Sequence, residues 1–130
     1  MNFPEEAALT NIIGAANLMK VIRKFGSSVQ NIIDISTDKA CKPVNIMGMT
    51  KSIQERLILQ GALFLPDTKI TAVRYGNVLA SRGSVIPLFH ELIKKNTPIN
   101  ITHAGMTRFL LSLNEAVSII FEALQNGNTG

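Results

Sequence analysis

Apolar positions along this chain alternate between helical spacing and short continuous runs. From Pro4 to about Phe25, residues Leu9, Ile12, Ile13, Ala16, Met19 and Ile22 recur at helical spacing and predict one amphipathic helix. Pro4 suits its first turn, Glu5 and Glu6 its positive end, and Lys20, Arg23 and Lys24 its negative end. Gly26 marks the stop. The isoleucine-rich run from about Gln30 to Ser36 predicts a buried parallel strand. After a loop marked by Pro43, a helix is expected from about Asn45 to Leu65, weakened near Gly61 and ended by Pro66 and Asp67. Lys69 to Tyr75 predicts a second strand, leading into Gly76-Asn77-Val78. Ser84 suits the cap of a helix that runs to about Lys95. Ile99 to Thr102 predicts a short strand. A last helix opens at Asn114 or Ser112, with Ala116, Val117, Ile120 and Leu124 on one face, and the stretch from Asn126 to Gly130 stops it.

Helices and strands in alternation imply an α/β fold, a parallel sheet covered by helices on both faces. A doubly wound sheet has more long strands than the two found here, and the first element is a helix. The expectation is an interior slice of a larger domain. Repeats and low-complexity tracts are absent from the sequence.

Composition narrows the class. Among 130 residues, 46% are hydrophobic and 17% charged, which argues for a buried core and against disorder. The net charge is +4, but the basic residues are dispersed and aromatics few, so a nucleic-acid groove is not indicated. The excess fits a small anionic ligand such as a phosphate-bearing one. Cys41 is the only cysteine, which excludes an internal disulfide. No apolar run is long enough for a bilayer and no leader opens the chain, so the expectation is a cytoplasmic protein or a soluble piece of a larger one.

Candidate chemistry gathers where the first strand ends. Thr37, Asp38 and Lys39 put hydroxyl, acid and amine together at a carboxyl end, the place where open α/β sheets bind ligands. One reading is an acid and a base held beside a single sugar carbon; the other is a helix cap with a solvated ion pair. The residues alone leave both open. Met47 and Lys51 lie four apart, hence on one helix face, and Lys51 can point back to the same strand end. No Gly-x-Gly-x-x-Gly follows a strand. Arg82 and Arg108, in glycine-bearing loops, suit diphosphate clamps or ordinary surface positions. His90 and His103 have no partner at metal-ligand spacing, so no metal is expected. Cys41 has no nearby histidine to make it a nucleophile, and Tyr75 suits packing at a strand end.

Four strings occur in order: Ser36-Thr37-Asp38-Lys39-Ala40, Pro43 through Lys51, Arg74 through Phe89, and Met106-Thr107-Arg108-Phe109. Together they resemble the polysaccharide-biosynthesis branch of the extended short-chain dehydrogenase/reductases, nearest to UDP-N-acetylglucosamine 4,6-dehydratases of the 5-inverting, capsule type. The resemblance covers nearly the whole chain. It implies a Rossmann-like domain that uses NAD or NADP to dehydrate a nucleotide sugar, with UDP-N-acetylglucosamine as substrate. By residue, it implies that Lys39 takes the C5 proton, Asp38 assists loss of the C6 hydroxyl, and Thr37 bonds the sugar near C4. Lys51 matches the lysine that holds the nicotinamide ribose. Asn11, in Thr10-Asn11-Ile12-Ile13-Gly14, matches a helix asparagine near the cofactor. Ser36, Tyr75, Gly76 and Val78 match cofactor-side positions. Asn77, Arg82, Ser84 and Arg108 match substrate-side positions.

Two departures stand out. The superfamily pattern Tyr-x-x-x-Lys has Met47 in its first place, and a thioether transfers no proton. Asp38 or Thr37 is then expected to take the C4 hydroxyl proton. The glycine-rich first unit is also missing. Residues 1–130 are thus expected to be a partial NAD(P)-binding domain, with part of the substrate lobe in 80–130, too incomplete to bind cofactor tightly or to turn over alone. The resemblance further implies a homo-oligomer, since related enzymes pair through two such helices. Competing expectations are a related epimerase and a non-catalytic α/β module.

Overall fold

The computed structural model describes residues 3–26, 28–79 and 85–130. The first helical stretch is α1 (Pro4–Ala8), a π-helical segment (Leu9–Gly14) and α2 (Ala15–Phe25). Next come β1 (Asn31–Thr37), a 3₁₀ turn (Asp38–Ala40), α3 (Ile46–Leu59) with a 3₁₀ extension (Gln60–Leu63), and β2 (Lys69–Tyr75). The remainder holds β3 (Asn77–Val78), α4 (Val85–Lys94), β4 (Leu110–Leu111) and α5 (Leu113–Asn126). The chain divides into two compact units: Met1–Tyr75 with Ser118–Gly130, and Gly76–Val117.

In the first unit β1 and β2 pair in parallel, from Asn31 opposite Lys69 to Thr37 opposite Tyr75. Side chains alternate across a strand, so Ile32, Asp34 and Ser36 share a face with Ile70, Ala72 and Arg74. At the amino end this face is apolar. Ile70, with no exposed surface, packs with Ala15 and Met19 of α2 and Ile58 of α3. Burying an aliphatic side chain of this size contributes about 1.5–3 kcal/mol. Ile22, Ile32 and Leu65 pack around that cluster. The last residues run beside β2: Gly130 N–H donates to Ile70 O (3.1 Å) and Gly130 O accepts from Ala72 N–H (3.2 Å).

Capping fixes the start of α3. Asn45 has extended backbone, and its Oδ1 accepts from Gly48 N–H at 2.9 Å. Gly48 itself lies against the 3₁₀ turn. A Cβ there would collide with the Lys39 carbonyl and press on Pro43. The helix therefore meets the turn backbone closely only with glycine at this position.

In the second unit β3 pairs in parallel with β4, Asn77 opposite Leu110 and Val78 opposite Leu111. Gly76 permits the approach, since a Cβ would come within 2.8 Å of both the Phe109 carbonyl and its Cβ. The strand expected over Ile99 to Thr102 is not formed. It follows Pro98, and Ile101 is 77% exposed, so its alternation meets no partner. The short strand lies at Leu110–Leu111 instead. Ser112, not Asn114, starts the last helix: its Oγ accepts from Glu115 N–H (3.2 Å), and Glu115 Oε2 accepts from Ser112 N–H (2.6 Å).

Candidate active site

β1 delivers Thr37 to the carboxyl end of the sheet with its side chain buried. Thr37 then caps the 3₁₀ turn. Its Oγ1 accepts from Lys39 N–H (3.4 Å) and donates to Asp38 Oδ1 (3.0 Å). Lys39 Nζ reaches the same Oδ1 at 3.0 Å. Hydroxyl, carboxylate and ammonium thus converge on one oxygen. Partial burial pushes the Asp38 carboxyl up, but hydrogen bonds from Lys39 and Thr37 outweigh this and hold it below the ordinary carboxylate range. Asp38 is therefore ionised at neutral pH.

Lys51 arrives from α3. Its Nζ donates to Ile35 O at 2.9 Å, so the lysine is tethered to the β1 backbone two residues before Thr37. An ammonium carries three donors, and this bond uses one. One turn earlier on the helix, Met47 is 40% exposed. Between them Thr50 is buried, and its hydroxyl donates back to Ile46 O (2.9 Å). Asn11 Nδ2 donates to that hydroxyl at 3.0 Å. Asn11 lies in the π-helical segment, a backbone form enriched at functional sites. The structure thus joins Asn11 to α3 at Thr50, the residue before Lys51, whose own side chain reaches β1.

Ser36 is also buried, on the sheet face under α3 beside the Glu55 carboxylate. Tyr75 ends β2 opposite Thr37, half-buried, and burial pushes its hydroxyl up. Gly76, Asn77, Val78 and Arg108 belong to the second unit. There Asn77 N–H donates to Phe109 O (2.8 Å), and the exposed Arg108 donates through Nη1 to Thr107 O (2.8 Å). The expectations for Arg82 and Ser84 lie outside the described residues.

A polar layer beneath the strand ends was not foreseen. Gln54 Nε2 donates to the buried Asp34 Oδ1 at 2.5 Å. Arg74 meets Glu55 with two bonds, Nε to Oε1 at 2.9 Å and Nη2 to Oε2 at 2.7 Å. Its signal was in the strand pattern. Asp34, Ser36 and Arg74 fall on alternate positions, hence on one face, and a buried charge requires a partner. A cavity of about 200 Å³ lies in the groove between α2 and α3, lined by Met19, Lys20, Arg23, Leu57, Gln60 and Phe64 among others, and none of the expected site residues lines it.

Residues 1–130 match the family model described as polysaccharide biosynthesis protein. The chain belongs to that family. An uncharacterized membrane protein of Methanocaldococcus jannaschii is 48% identical over 122 residues, 92% of this chain and 36% of that protein. A UDP-glucose 4-epimerase of Rickettsia canadensis is 42% identical over 130 residues, 98% of this chain and 38% of that protein. Among solved structures, Pen from Bacillus thuringiensis superposes with a TM-score of 0.87 at 40% identity, covering 98% of this chain and 39% of Pen. This member of the polysaccharide biosynthesis family thus spans little more than a third of the length of those relatives. The Bordetella bronchiseptica enzyme WbmG, solved with NAD, shares the fold (TM-score 0.78, 22% identity). The doubly wound α/β architecture expected from the alternating pattern is the one these neighbours have. Among the described residues, no helix is long and apolar enough to cross a membrane.

Proposed function

We propose that the protein carrying this chain is an NAD- or NADP-dependent nucleotide-sugar 4,6-dehydratase of surface-polysaccharide synthesis, acting on UDP-N-acetylglucosamine. One observation carries the reading: the Thr37-Asp38-Lys39 cluster caps the end of the strand whose backbone also tethers Lys51. The residues fit a dinucleotide. Lys51 keeps two donors for ribose hydroxyls, and the strand end is where α/β sheets seat such ligands. A bound dinucleotide would supply hydride chemistry between C4 and C6 of the sugar.

The chain's own residues handle the protons. Asp38 is ionised and already accepts from Thr37, so the pair forms a relay for the C4 hydroxyl proton: the sugar donates to Thr37 Oγ1 as Thr37 donates to Asp38. Met47, in the superfamily tyrosine's place, transfers none. Once Asp38 is protonated, Lys39 loses its counter-charge. Its ammonium proton then passes to solvent, which leaves the free amine as the base. That amine takes the C5 proton, made acidic by the new ketone, and Asp38 returns its proton to the departing C6 hydroxyl; the Lys39 ammonium then gives its proton back to C5 as C6 gains hydride, and the amine regains a proton from solvent. The proton taken from O4 leaves as part of the water.

In this reading the protein acts in the cytoplasm as a homo-oligomer, which would cover exposed apolar residues such as Val21 and Phe25 on α2. The test is proton NMR of the products formed from UDP-N-acetylglucosamine. A 4-keto-6-deoxy sugar is expected, and Lys39→Ala is expected to lower turnover by about 100-fold or more while the protein stays folded. Retained turnover in that variant removes Lys39 as the base. A second reading, epimerisation, is favoured by the 42% identity to a UDP-glucose 4-epimerase. It predicts an inverted hexose with no deoxy methyl signal.

A further inference from the structure

The polar layer under α3 is costly. Glu55 is 4% exposed, and so is charged inside a protein interior that disfavours charge. Buried ion pairs can often be replaced by apolar side chains without loss, so stability alone does not account for this one. Its placement suggests a different service. On α3, Glu55 follows Lys51 by four residues and so lies on the same helix face. On β2, Arg74 immediately precedes Tyr75 and stands opposite Ser36, which immediately precedes Thr37. The two-bond fork from Glu55 to Arg74 therefore ties the helix that carries Lys51 to the end of β2, which pairs with the end of β1. A fork fixes orientation as well as distance, which a single contact does not. Gln54, bonded to Asp34 on β1, adds a second tie from the same helix turn.

We infer that Glu55 and Arg74 are positioning residues: their fork sets the height and rotation of α3 over the sheet, and so holds the Lys51 ammonium at the Ile35 carbonyl, ready for a dinucleotide ribose. In this inference both act through α3 and Lys51 and not by contact with a ligand. The inference rests on the dinucleotide reading above for its functional consequence, but its geometric half stands apart from it.

The experiment uses the protein that carries this chain, with Glu55→Gln, Lys51→Ala and their combination. Dinucleotide affinity is measured by titration, and the Lys51 amine is followed by acetylation and mass spectrometry against the exposed Lys24. Glu55→Gln is expected to weaken dinucleotide binding by about tenfold, the scale of one charge-assisted hydrogen bond. The combined variant is expected to bind no more weakly than Lys51→Ala, because Glu55 acts through that lysine. Lys51 acetylation is expected to rise several-fold in Glu55→Gln, with Lys24 unchanged. Arg74→Lys keeps the charge but gives up the fork, and is expected to show the same pattern; it serves if Glu55→Gln does not fold. Additive losses in the combined variant, or unchanged Lys51 acetylation in a folded variant, overturn the inference. A parent protein that binds no dinucleotide overturns the proposed function instead, and the acetylation rates still decide the positioning role.

Discussion

Two buried carboxylates in adjoining positions of the polar layer respond to pH in opposite directions. Burial pushes Asp34 up, against the pull of Gln54 and Lys51. The Arg74 fork holds Glu55 down, against its own burial. A raised Asp makes the folded state bind its proton more tightly than the unfolded one. Its stability contribution is present below the unfolded value and is lost as pH rises through the folded value. A depressed Glu does the reverse: its contribution is present above the unfolded value and lost as pH falls through the folded one. Asp34→Asn is therefore expected to raise the urea midpoint at neutral pH, with the gain fading as pH falls through the raised folded value and gone below about pH 4. Glu55→Gln is expected to cost about 2 kcal/mol at neutral pH, less than for a fully buried pair because the Arg74 side chain is 48% exposed. That loss should shrink on acidification. Urea melts of both variants across the acid range check the pair of signs.

Among the elements, α3 matters most for the site, because it is held at three places. Asn45 caps it, Gly48 seats it on the Lys39 carbonyl, and Gln54 with Glu55 pins it to the sheet. Gly48→Ala would force the helix away from the Lys39 turn. It is expected to cost about 1–3 kcal/mol in urea unfolding, the usual range for overpacking. The start of α3 was legible because Asn45 is a strong cap after a proline, and β1 and β2 because apolar runs stop at punctuation. The Thr37-Asp38-Lys39 cluster was legible for the same reason: polar residues end an apolar run. The π-helical segment was not, since Leu9 to Gly14 keeps an ordinary helical spacing. Nor was the pairing of Glu55 with Arg74, which depends on strand register and helix rotation rather than on neighbours in sequence. At Ile99 to Thr102 local alternation misled, because a strand needs a partner edge and β3 took Leu110–Leu111.

Across the whole molecule, large apolar side chains remain on the surface. Leu18, Val21 and Phe25 of α2 are each more than half exposed, and Ile53 of α3 and Ile35 of β1 are each 45% exposed. β1 pairs with β2 along one edge only among the described residues. Exposed apolar surface of this extent marks an interaction face, with protein, membrane or ligand. The 130-residue chain expressed alone is expected to enhance the fluorescence of a hydrophobic-surface dye such as ANS while retaining its helical circular dichroism. A folded chain without that enhancement would show that its apolar faces cover one another in solution.

The Thr37 hydroxyl has a single hydrogen, and it is spent on Asp38. A ligand that offered Thr37 an acceptor in place of a donor would draw that hydrogen away. Asp38 would lose one of the bonds that keep it acidic and would hold a proton more readily. The acidity of the carboxylate is thus wired to what occupies the space above its neighbour, and a bound molecule selects its chemistry by which way it turns one O–H.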